Sequence, residues 1–182
     1  MSNVPSIRTD RFELVSMSLP FMRALAGHDL ETAASEIGAT VPASLPDDLE
    51  HFLDYRIADL TADPTIQPWL GRAIVLDDSA GRRIIGSVGF HSPPDGDGRV
   101  EVGYRVEPAH RRQGVASEVV RALFDWAHRE YGVTRFRAAT APDNVASQAI
   151  LARLGFRQVG VQIDEYDGPE LVFERDGWPT AT

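Results

Sequence analysis

The segment 111–116, with the sequence R-R-Q-G-V-A, constrains this chain more than any other part of it. It joins an alternating, strand-like run at 100–106 to an amphipathic, helix-like run at 116–131. The start of a helix leaves backbone N–H groups without partners inside the helix and carries a partial positive charge. Gly114 has no Cβ, so a ligand can approach the backbone closely. The segment therefore predicts a site for a phosphate or pyrophosphate group.

The common nucleotide-binding loops do not fit this segment. The chain has neither a G-x-x-x-x-G-K-[ST] loop nor a G-x-G-x-x-G sequence after a strand. All 18 of its basic residues are arginine, which excludes a phosphate-binding lysine. A turn before an ordinary amphipathic helix also requires glycine, so the segment by itself leaves a purely structural role open.

A second pattern further along the chain supports the first. Residues 134–140 alternate as a strand does, and Asn144 opens a short helix that ends at Gly155. Glycine is favoured just after the end of a helix, where the backbone turns into a left-handed conformation. A further strand is predicted at 156–163.

Together the two patterns resemble those of GNAT-type N-acetyltransferases, a superfamily that depends on acetyl-CoA. The first pattern matches the family's [Q/R]-x-x-G-x-[G/A] motif, and the second matches the helix that follows it. The matching residues are Arg111, Gly114, Ala116, Asn144, Ser147, Arg153, Gly155 and Phe156. The resemblance covers roughly residues 70–175. The opening stretch 8–14, R-T-D-R-F-E-L, is similar to the first strand of the ribosomal-protein-alanine acetyltransferase-like branch.

The periodicity predicts an α/β (α+β) fold with the order β-α-α-β-β-β-α-β-α-β-β. The resemblance implies a GNAT fold, with a mixed, mostly antiparallel sheet of six to seven strands and helices on both faces. It also implies that two central strands, 100–106 and 134–140, splay apart to admit the pantetheine arm of the cofactor. The predicted helices are 19–30, 47–60 with a cap at Asp47, 116–131 and 144–154. The other predicted strands are 7–15, 72–76, 83–90, 156–163 and 170–174, and a loop is expected at 63–71.

A single acetyltransferase domain is expected over residues 1–182. Residues 1–70 are expected to form the acceptor side, 71–175 the cofactor-binding core and 176–182 a loose tail.

The resemblance also implies where the cofactor binds. Backbone amides of residues 112–116 hold the pyrophosphate, with charge from Arg111 and Arg112. The pantetheine lies beside residues 104–106, and the Val106 N–H polarises the thioester oxygen. Asn144 hydrogen-bonds the cofactor arm, caps its helix, or does both. The predicted cofactor-binding residues are Tyr104, Val106, Arg111, Arg112, Gln113, Gly114, Val115, Ala116, Asn144 and Arg153.

The proposed reaction needs a base, because an ammonium ion has no lone pair with which to attack. The resemblance favours Glu101 as this base, acting directly or through a water, although a solvated strand residue is the alternative. Asp143 and His91 are weaker candidates.

The group that protonates the leaving thiolate is less clearly marked. Many family members have a tyrosine where this chain has Leu151, which cannot give a proton. Ser147 is the nearest hydroxyl to that position, although a serine on a helix also bonds back to its own backbone. Tyr104 and Tyr166 are more remote alternatives. The absence of cysteine argues against a covalent acyl-enzyme and favours direct attack by the amine.

Composition excludes several other classes of protein. Without cysteine there are no disulfides and no cysteine-bound metals, and the five histidines show no ligand spacing, so no metal is expected. The net charge of −9 argues against nucleic-acid binding. The lack of a long apolar run or a signal peptide predicts a cytoplasmic protein without a membrane partner.

The acceptor is expected to be an amine. The first 70 residues carry 11 acids and only 4 arginines, a charge balance that would attract a cation but that also serves as a solubilising surface. The candidates are a small-molecule amine, namely a polyamine, an aminoglycoside or an amino-acid derivative, and the N-terminal amine of a protein. A homodimer and the preference among acyl chains stay open. A non-catalytic acyl-CoA sensor is the main alternative, whereas a nucleotide hydrolase would need a P-loop that the chain lacks.

Overall fold

In this computed structural model, which describes residues 4–164 and 168–179, the chain forms an eight-stranded sheet and six α-helices within the described part. The strands are β1 (Ile7–Arg8), β2 (Phe12–Ser16), β3 (Arg72–Asp78), β4 (Gly81–Phe90), β5 (Arg99–Val106), β6 (Arg135–Thr140), β7 (Arg157–Asp164) and β8 (Gly168–Asp176). The α-helices are α1 (Leu19–Ala26), α2 (Leu30–Ile37), α3 (Leu45–Asp48), α4 (Glu50–Ala62), α5 (Val115–Tyr131) and α6 (Val145–Arg153). Of these described helices, none has the length and apolar character that a membrane span requires.

The strands lie in the order β1-β2-β3-β4-β5-β6-β8-β7. Neighbouring strands are antiparallel except β5 and β6, which run parallel. The predicted mixed, mostly antiparallel sheet is thus confirmed, with eight strands instead of six to seven. The extra strand arises because a tight turn breaks the strand expected at 7–15. In that turn the Thr9 amide donates to the Phe12 carbonyl over 2.9 Å.

Side chains alternate between the two faces of the sheet, and helices cover both faces, as predicted. Ile74 of β3 packs into a cluster beneath α5 and α6, whereas its neighbours Ala73 and Val75 pack into another cluster beneath α1–α4. Helix residues of the first cluster include Val119, Leu123, Phe124 and Leu151, and those of the second include Phe21, Leu25, Leu45 and Leu53.

The parallel pair at the centre of the sheet splays, which confirms another expectation. Strands β5 and β6 pair only where Arg99–Glu101 meets Arg135–Arg137. Beyond those residues β5 continues to Val106 and β6 continues to Thr140 without further pairing to each other among the described residues. The second halves of the two strands therefore border a gap in the middle of the sheet.

The prediction of a single helix at 19–30 is wrong. Helix α1 ends at Ala26 and α2 begins at Leu30, because His28 takes a left-handed conformation with φ of 55°. Asp29 then starts a new helix as its N-cap, accepting a hydrogen bond from the Thr32 amide over 3.0 Å. N-cap aspartate satisfies an amide that the first turn leaves without a partner.

The helix expected at 47–60 also begins differently. Asp47 lies inside the short helix α3 and does not cap α4, whose N-cap is Leu49 with no side-chain cap bond. The loop expected at 63–71 contains a 3₁₀ helix, Pro64–Trp69, capped by Asp63. Its two prolines set the backbone angles of such a turn but prevent a longer helix.

The C-terminal stretch is not a loose tail where the structure describes it. Strand β8 extends to Asp176, and Trp178 is buried with 4% of its surface exposed. Its indole Nε1 donates to Asp125 over 2.8 Å, and its ring meets that of Phe124 edge-on. A buried tryptophan of this kind stabilises a fold by about 3–5 kcal/mol relative to alanine. Residues 180–182 lie outside the described residues.

Candidate active site

The loop before α5 has the conformation that an anion site needs. Arg112 and Gly114 both take left-handed backbone angles, with φ of 60° and 78°. The first bond between an α5 amide and the carbonyl four residues earlier is Glu118 N to Gly114 O, at 3.1 Å. The amides just before Glu118 are consequently left to a ligand, at the positive end of a 17-residue helix.

The arginines around this loop have distinct surroundings. Arg111 donates from Nε to the Val106 carbonyl over 2.8 Å, which ties the loop to the end of β5. Arg105 is paired with Asp48 at 2.6 Å and with Glu107 at 3.2 Å. Part of the charge of Arg105 is therefore neutralised inside the fold, so Arg111 and Arg112 contribute more of the positive charge at the loop.

A cavity of about 680 Å³ lies between the start of α5, the end of β5 and helix α6. Its volume is in the range of small-molecule and cofactor sites. The cavity brings together ten of the predicted site residues: Tyr104, Val106, Arg111, Arg112, Gly114, Val115, Ala116, Asn144, Ser147 and Arg153. Gln113 is a predicted residue that does not line it, and its side chain instead donates to the Ala109 carbonyl over 3.0 Å.

The N-terminal hairpin, formed by β1 and β2, hydrogen-bonds to the same loop and to the start of α5. Glu118 in the first turn of α5 accepts hydrogen bonds from Thr9 at 2.6 Å and from Arg11 Nε at 2.7 Å. Arg11 also donates to the Gln113 carbonyl over 3.0 Å. Burial raises the pKa of the Glu118 carboxyl, but the bonds from Thr9 and Arg11 outweigh it and lower that pKa below its ordinary value. These partners are more than 100 positions apart, so no local sequence pattern connects them.

Asn144 caps helix α6, as one of its two expected roles requires. Its side-chain oxygen accepts from the Ser147 amide over 3.1 Å. The cap uses the oxygen of the carboxamide and leaves its nitrogen, with two N–H donors, for a second partner. Asp143, an alternative base, is exposed in the preceding turn and lines neither of the two cavities described here.

A second cavity, of about 370 Å³, fills the gap between β5 and β6. It shares Tyr104, Asn144 and Ser147 with the first cavity, so the two spaces meet at these residues. Its remaining lining residues are His91, Val102, Gly103, Ala138, Ala139, Thr140, Ala141 and Glu170.

The backbone of β5 offers hydrogen bonds to this gap. The odd-numbered residues bond to β4, as seen where His91 N donates to Glu101 O and Glu107 N donates to Ile85 O, each over 2.9 Å. In an antiparallel ladder the intervening residues direct their N–H and C=O groups to the opposite side. The amides of Tyr104 and Val106 therefore face the side on which β6 has splayed away.

Tyr104, a less favoured candidate for the acid, has its hydroxyl at the site. Its Oη lies 2.8 Å from Ser147 Oγ, at the meeting point of the two cavities. Burial raises the pKa of the Tyr104 phenol, and the bond with Ser147 opposes this only in part. The phenol thus keeps its proton at neutral pH. Leu151 is fully buried in the core, and Tyr166 lies outside the described residues.

Glu101 lies on the opposite face of β5 from Tyr104, towards α1–α4. Its Oε1 is 3.8 Å from His91 Nδ1, and its Oε2 is 3.3 Å from Arg137 Nε. Loss of solvent around the His91 ring lowers the pKa of this imidazole, although the charge of Glu101 opposes the shift. The structure therefore places Glu101 in a group of three ionisable side chains beside the gap.

Several acids of the predicted acceptor side are engaged within the fold. Asp29 caps α2, Asp48 pairs with Arg105, and Asp59 pairs with Arg56 at 2.7 Å. The negatively charged surface that could attract a cationic amine is therefore smaller than the number of acids suggests. Within residues 4–164 and 168–179, no three His, Asp or Glu side chains are grouped as metal ligands.

Comparison with known proteins identifies the family. The model of the acetyltransferase (GNAT) domain matches residues 22–157. YjdG of Bacillus subtilis, an uncharacterized N-acetyltransferase, is 29% identical over 151 residues, which cover 82% of this chain and 88% of that protein.

Two solved structures share the fold. The microcin C7 self-immunity acetyltransferase MccE, in complex with acetyl-CoA and AMP, has a TM-score of 0.62 at 18% identity over 92% of this chain and 93% of its own. The ribosomal-protein-S5-alanine acetyltransferase of Vibrio fischeri has a TM-score of 0.63 at 16% identity over 98% of this chain and 100% of its own. The chain therefore belongs to the GNAT family of acetyltransferases.

Proposed function

We propose that the chain transfers the acetyl group of acetyl-CoA to a primary amine by direct attack, with the two cavities holding the two substrates. The observation that carries the proposal is their meeting at Tyr104, Asn144 and Ser147. A coenzyme bound in the larger cavity would present its thioester to an amine that enters through the strand gap.

The pyrophosphate is assigned to the loop 112–116. The left-handed residues, the amides at the start of α5 and the side chains of Arg111 and Arg112 support this assignment. Backbone donors at a helix start bind an anion without the entropy cost of ordering long side chains. Arg153, which lines the far wall of the cavity on α6, would add charge to the coenzyme's phosphate end.

The pantetheine arm is assigned to the edge of β5. The amides of Tyr104 and Val106 face the gap, so the arm would bond to β5 as an added strand does. The Val106 N–H would then polarise the thioester carbonyl as negative charge develops on its oxygen. The carboxamide nitrogen of Asn144 would bond the same arm from the α6 side.

The reacting groups are assigned to the meeting point and the gap. The Tyr104 hydroxyl, bonded to Ser147, would protonate the departing sulfur, which makes Ser147 an assistant to the acid. Glu101 and the side chains around it would remove the proton from the ammonium. The lack of cysteine supports direct attack, because no thiol is present to form an acyl-enzyme.

The acceptor is assigned to the class of α-amines, in particular the N-terminal amine of a protein. The start R-T-D-R-F-E-L and the shared fold with a ribosomal-protein-S5-alanine acetyltransferase support this class. An α-amine with a pKa near ~8 is partly neutral at physiological pH, unlike a lysine near ~10.4, and so needs less help from a base.

The coenzyme site is tested by thermal shift with acetyl-CoA. Ligand at ~100 times Kd stabilises a folded protein by ~2.7 kcal/mol and raises its melting temperature. Gly114→Glu is expected to abolish this rise, because it adds negative charge and a Cβ at a left-handed position. Gly96→Glu, in an open loop, is the matched control and should keep the rise. Normal binding by a folded Gly114→Glu protein would contradict the assignment of the loop.

The transfer itself is tested by release of free thiol from acetyl-CoA with a panel of amines. The panel comprises a peptide with N-terminal alanine, a polyamine, an aminoglycoside and an amino-acid amide. We expect turnover to be fastest with the peptide. Tight binding of acetyl-CoA with no thiol release from any amine would instead indicate the non-catalytic sensor.

A further inference from the structure

We infer that His91 is the base that takes the proton from the acceptor amine, and that Glu101 acts as a positioning residue for its ring. The inference rests on the proposed acetyl transfer and assigns one step of it. His91, the weaker candidate from sequence, thus takes the place of Glu101 as the base.

Access to the gap distinguishes the two side chains. His91 lines the cavity between β5 and β6, together with Tyr104 and Ser147, whereas Glu101 does not line it. His91 directly follows β4, and its backbone N–H donates to the Glu101 carbonyl of β5, so the two side chains share one face. Glu101 is in addition held by Arg137. An amine in the gap would therefore meet the imidazole before the carboxylate.

The position of Gly103 explains how the ring reaches the gap. A Cβ on Gly103 would lie only 2.8 Å from His91 Nε2, so the ring rests directly over this residue. Gly103 immediately precedes Tyr104, whose hydroxyl is assigned to the sulfur. The absence of a side chain at 103 thus gives Nε2 a place next to the reacting end of the coenzyme arm.

The charges around His91 set its protonation state. Glu101 from β5 and Asp164 from β7 favour the charged ring, whereas Arg56 from α4 and the loss of solvent disfavour it. Glu170 from β8 lines the same cavity, and Arg137 from β6 pairs with Glu101. Loss of solvent is the largest of these effects and lowers the pKa of the ring from its ordinary 6.5, although 52% of the side chain stays exposed. An imidazole with a pKa below 6.5 is mainly neutral at physiological pH.

The carboxylate of Glu101 selects the tautomer. At 3.8 Å from Nδ1 it lies beyond a direct hydrogen bond, but its charge favours the ring proton on Nδ1. Nε2, over Gly103, then carries the lone pair that accepts a proton. Distances of this kind commonly shorten when substrate binds.

The acceptor nitrogen loses two protons during the transfer. His91 Nε2 takes one proton from the ammonium, and the freed lone pair forms the bond from nitrogen to the acetyl carbon. The bond from carbon to sulfur breaks, and the sulfur takes the Tyr104 proton. Tyr104 recovers a proton from the new amide nitrogen, and His91 releases its own to solvent. Amide, free thiol and one proton are the products.

The pH dependence of kcat/KM for the alanine-terminated peptide tests the inference in three proteins. The wild-type rate should fall on the acid side as His91 is protonated, below about 6.5. His91→Asn should lower kcat/KM ~100-fold. The fall at low pH, which is the acid limb of the profile, should disappear in this variant. Glu101→Gln should keep the limb but move it to lower pH, because a charge that raises the pKa of His91 is gone. His28→Asn, at an exposed turn, is the matched control.

Two outcomes overturn the inference. One is an acid limb that survives in His91→Asn and vanishes in Glu101→Gln, which would make the carboxylate the base. The other is a limb that neither substitution moves. If the wild-type protein releases no thiol with any amine, the proposed acetyl transfer itself is contradicted. This result differs from the two outcomes above, so failure of the inference and failure of the proposed function are distinguishable.

Gly103→Ala tests the position of the ring while keeping both side chains. The new methyl group meets only the tip of a side chain that can rotate away, so the protein should fold and bind acetyl-CoA normally. Displacement of Nε2 should lower kcat/KM ~10-fold or more. Gly96→Ala is the control, since a Cβ there meets no atom within 4 Å. Wild-type activity in Gly103→Ala would overturn the inference.

Discussion

The two cavities meet at Tyr104, Asn144 and Ser147, yet the loop at 112–116, which lines the larger cavity, and the gap between β5 and β6 are built in different ways. The loop offers mainly backbone amides, which the left-handed Arg112 and Gly114 turn towards the cavity. The gap presents side chains from β5, β6, β8 and α6, together with His91 directly after β4, so that elements distant in sequence meet there. A backbone site tolerates most side-chain changes but not a change of backbone geometry, whereas a side-chain site depends on each individual group.

This difference decides how each end responds to substitution. At the loop, changes that leave Gly114 intact should alter binding of acetyl-CoA gradually. At the gap, loss of one hydroxyl or imidazole should lower kcat and leave binding of acetyl-CoA nearly unchanged. Separate measurement of kcat and of the affinity for acetyl-CoA distinguishes the two effects.

Tyr104→Phe should have the largest effect of the three. It removes the donor that serves the sulfur but keeps the ring, so kcat should fall ~10- to 100-fold with little change in KM for acetyl-CoA. Steady-state kinetics with the alanine-terminated peptide provide the measurement. Tyr131→Phe makes the same deletion outside both cavities and should be neutral. A Tyr104→Phe enzyme that changes only KM would assign the phenol to binding instead of proton transfer.

The loop before α5 could be predicted from the sequence because its parts lie close together along the chain. The strand, the left-handed glycine and the helix start follow one another within 100–116, and each has a known local preference. The Asn144 cap was predictable for the same reason. The splayed strands came from the family resemblance and are confirmed by the pairing of β5 with β6.

The contacts of the gap could not be predicted in this way. The ring of His91 reaches Gly103 only through the register of β4 with β5, and the bond of Tyr104 to Ser147 joins a strand to a helix 43 positions later. Strand register depends on the whole sheet and is not written in any short segment. The burial of Trp178 was missed because its partner, Asp125, is likewise distant in sequence. The extent of the domain over 1–182 stays a prediction.

Asn144 should show a smaller effect that divides into two parts. Asn144→Ala loses the cap of α6 and should lower the free energy of unfolding by about 1 kcal/mol. Asn144→Ser keeps a capping oxygen but removes the amide donors, so it should fold as stably as wild type yet raise KM for acetyl-CoA several-fold. Urea unfolding and kinetics on the same preparations separate the two. Equal KM values for acetyl-CoA in Asn144→Ser and wild type would show that Asn144 only caps α6 and does not bind the coenzyme.

Glu118→Gln should have the smallest effect on catalysis, because the carboxylate braces the loop and does not line the cavity. The pKa of Glu118 is lowered in the folded state, so its stabilisation is present at neutral pH, above the ordinary 4.5, and is lost as the pH falls through the lowered value. Because Arg11 is 45% exposed, we expect Glu118→Gln to lower the free energy of unfolding by only about 1 kcal/mol at pH 7. At low pH, where Glu118 is protonated in the wild type, we expect no difference.

Unfolding in urea across this pH range, with affinity for acetyl-CoA measured at pH 7, tests the role of Glu118. Glu130→Gln is the matched control, since Glu130 forms an exposed pair with Arg129 on the same helix and should contribute almost nothing. A stability difference between wild type and Glu118→Gln that persists at low pH would contradict a contribution from charge. An affinity that falls no more than in Glu130→Gln would show that α5 and Gly114 hold the loop without the N-terminal hairpin, and the phosphate end would then depend on local sequence alone.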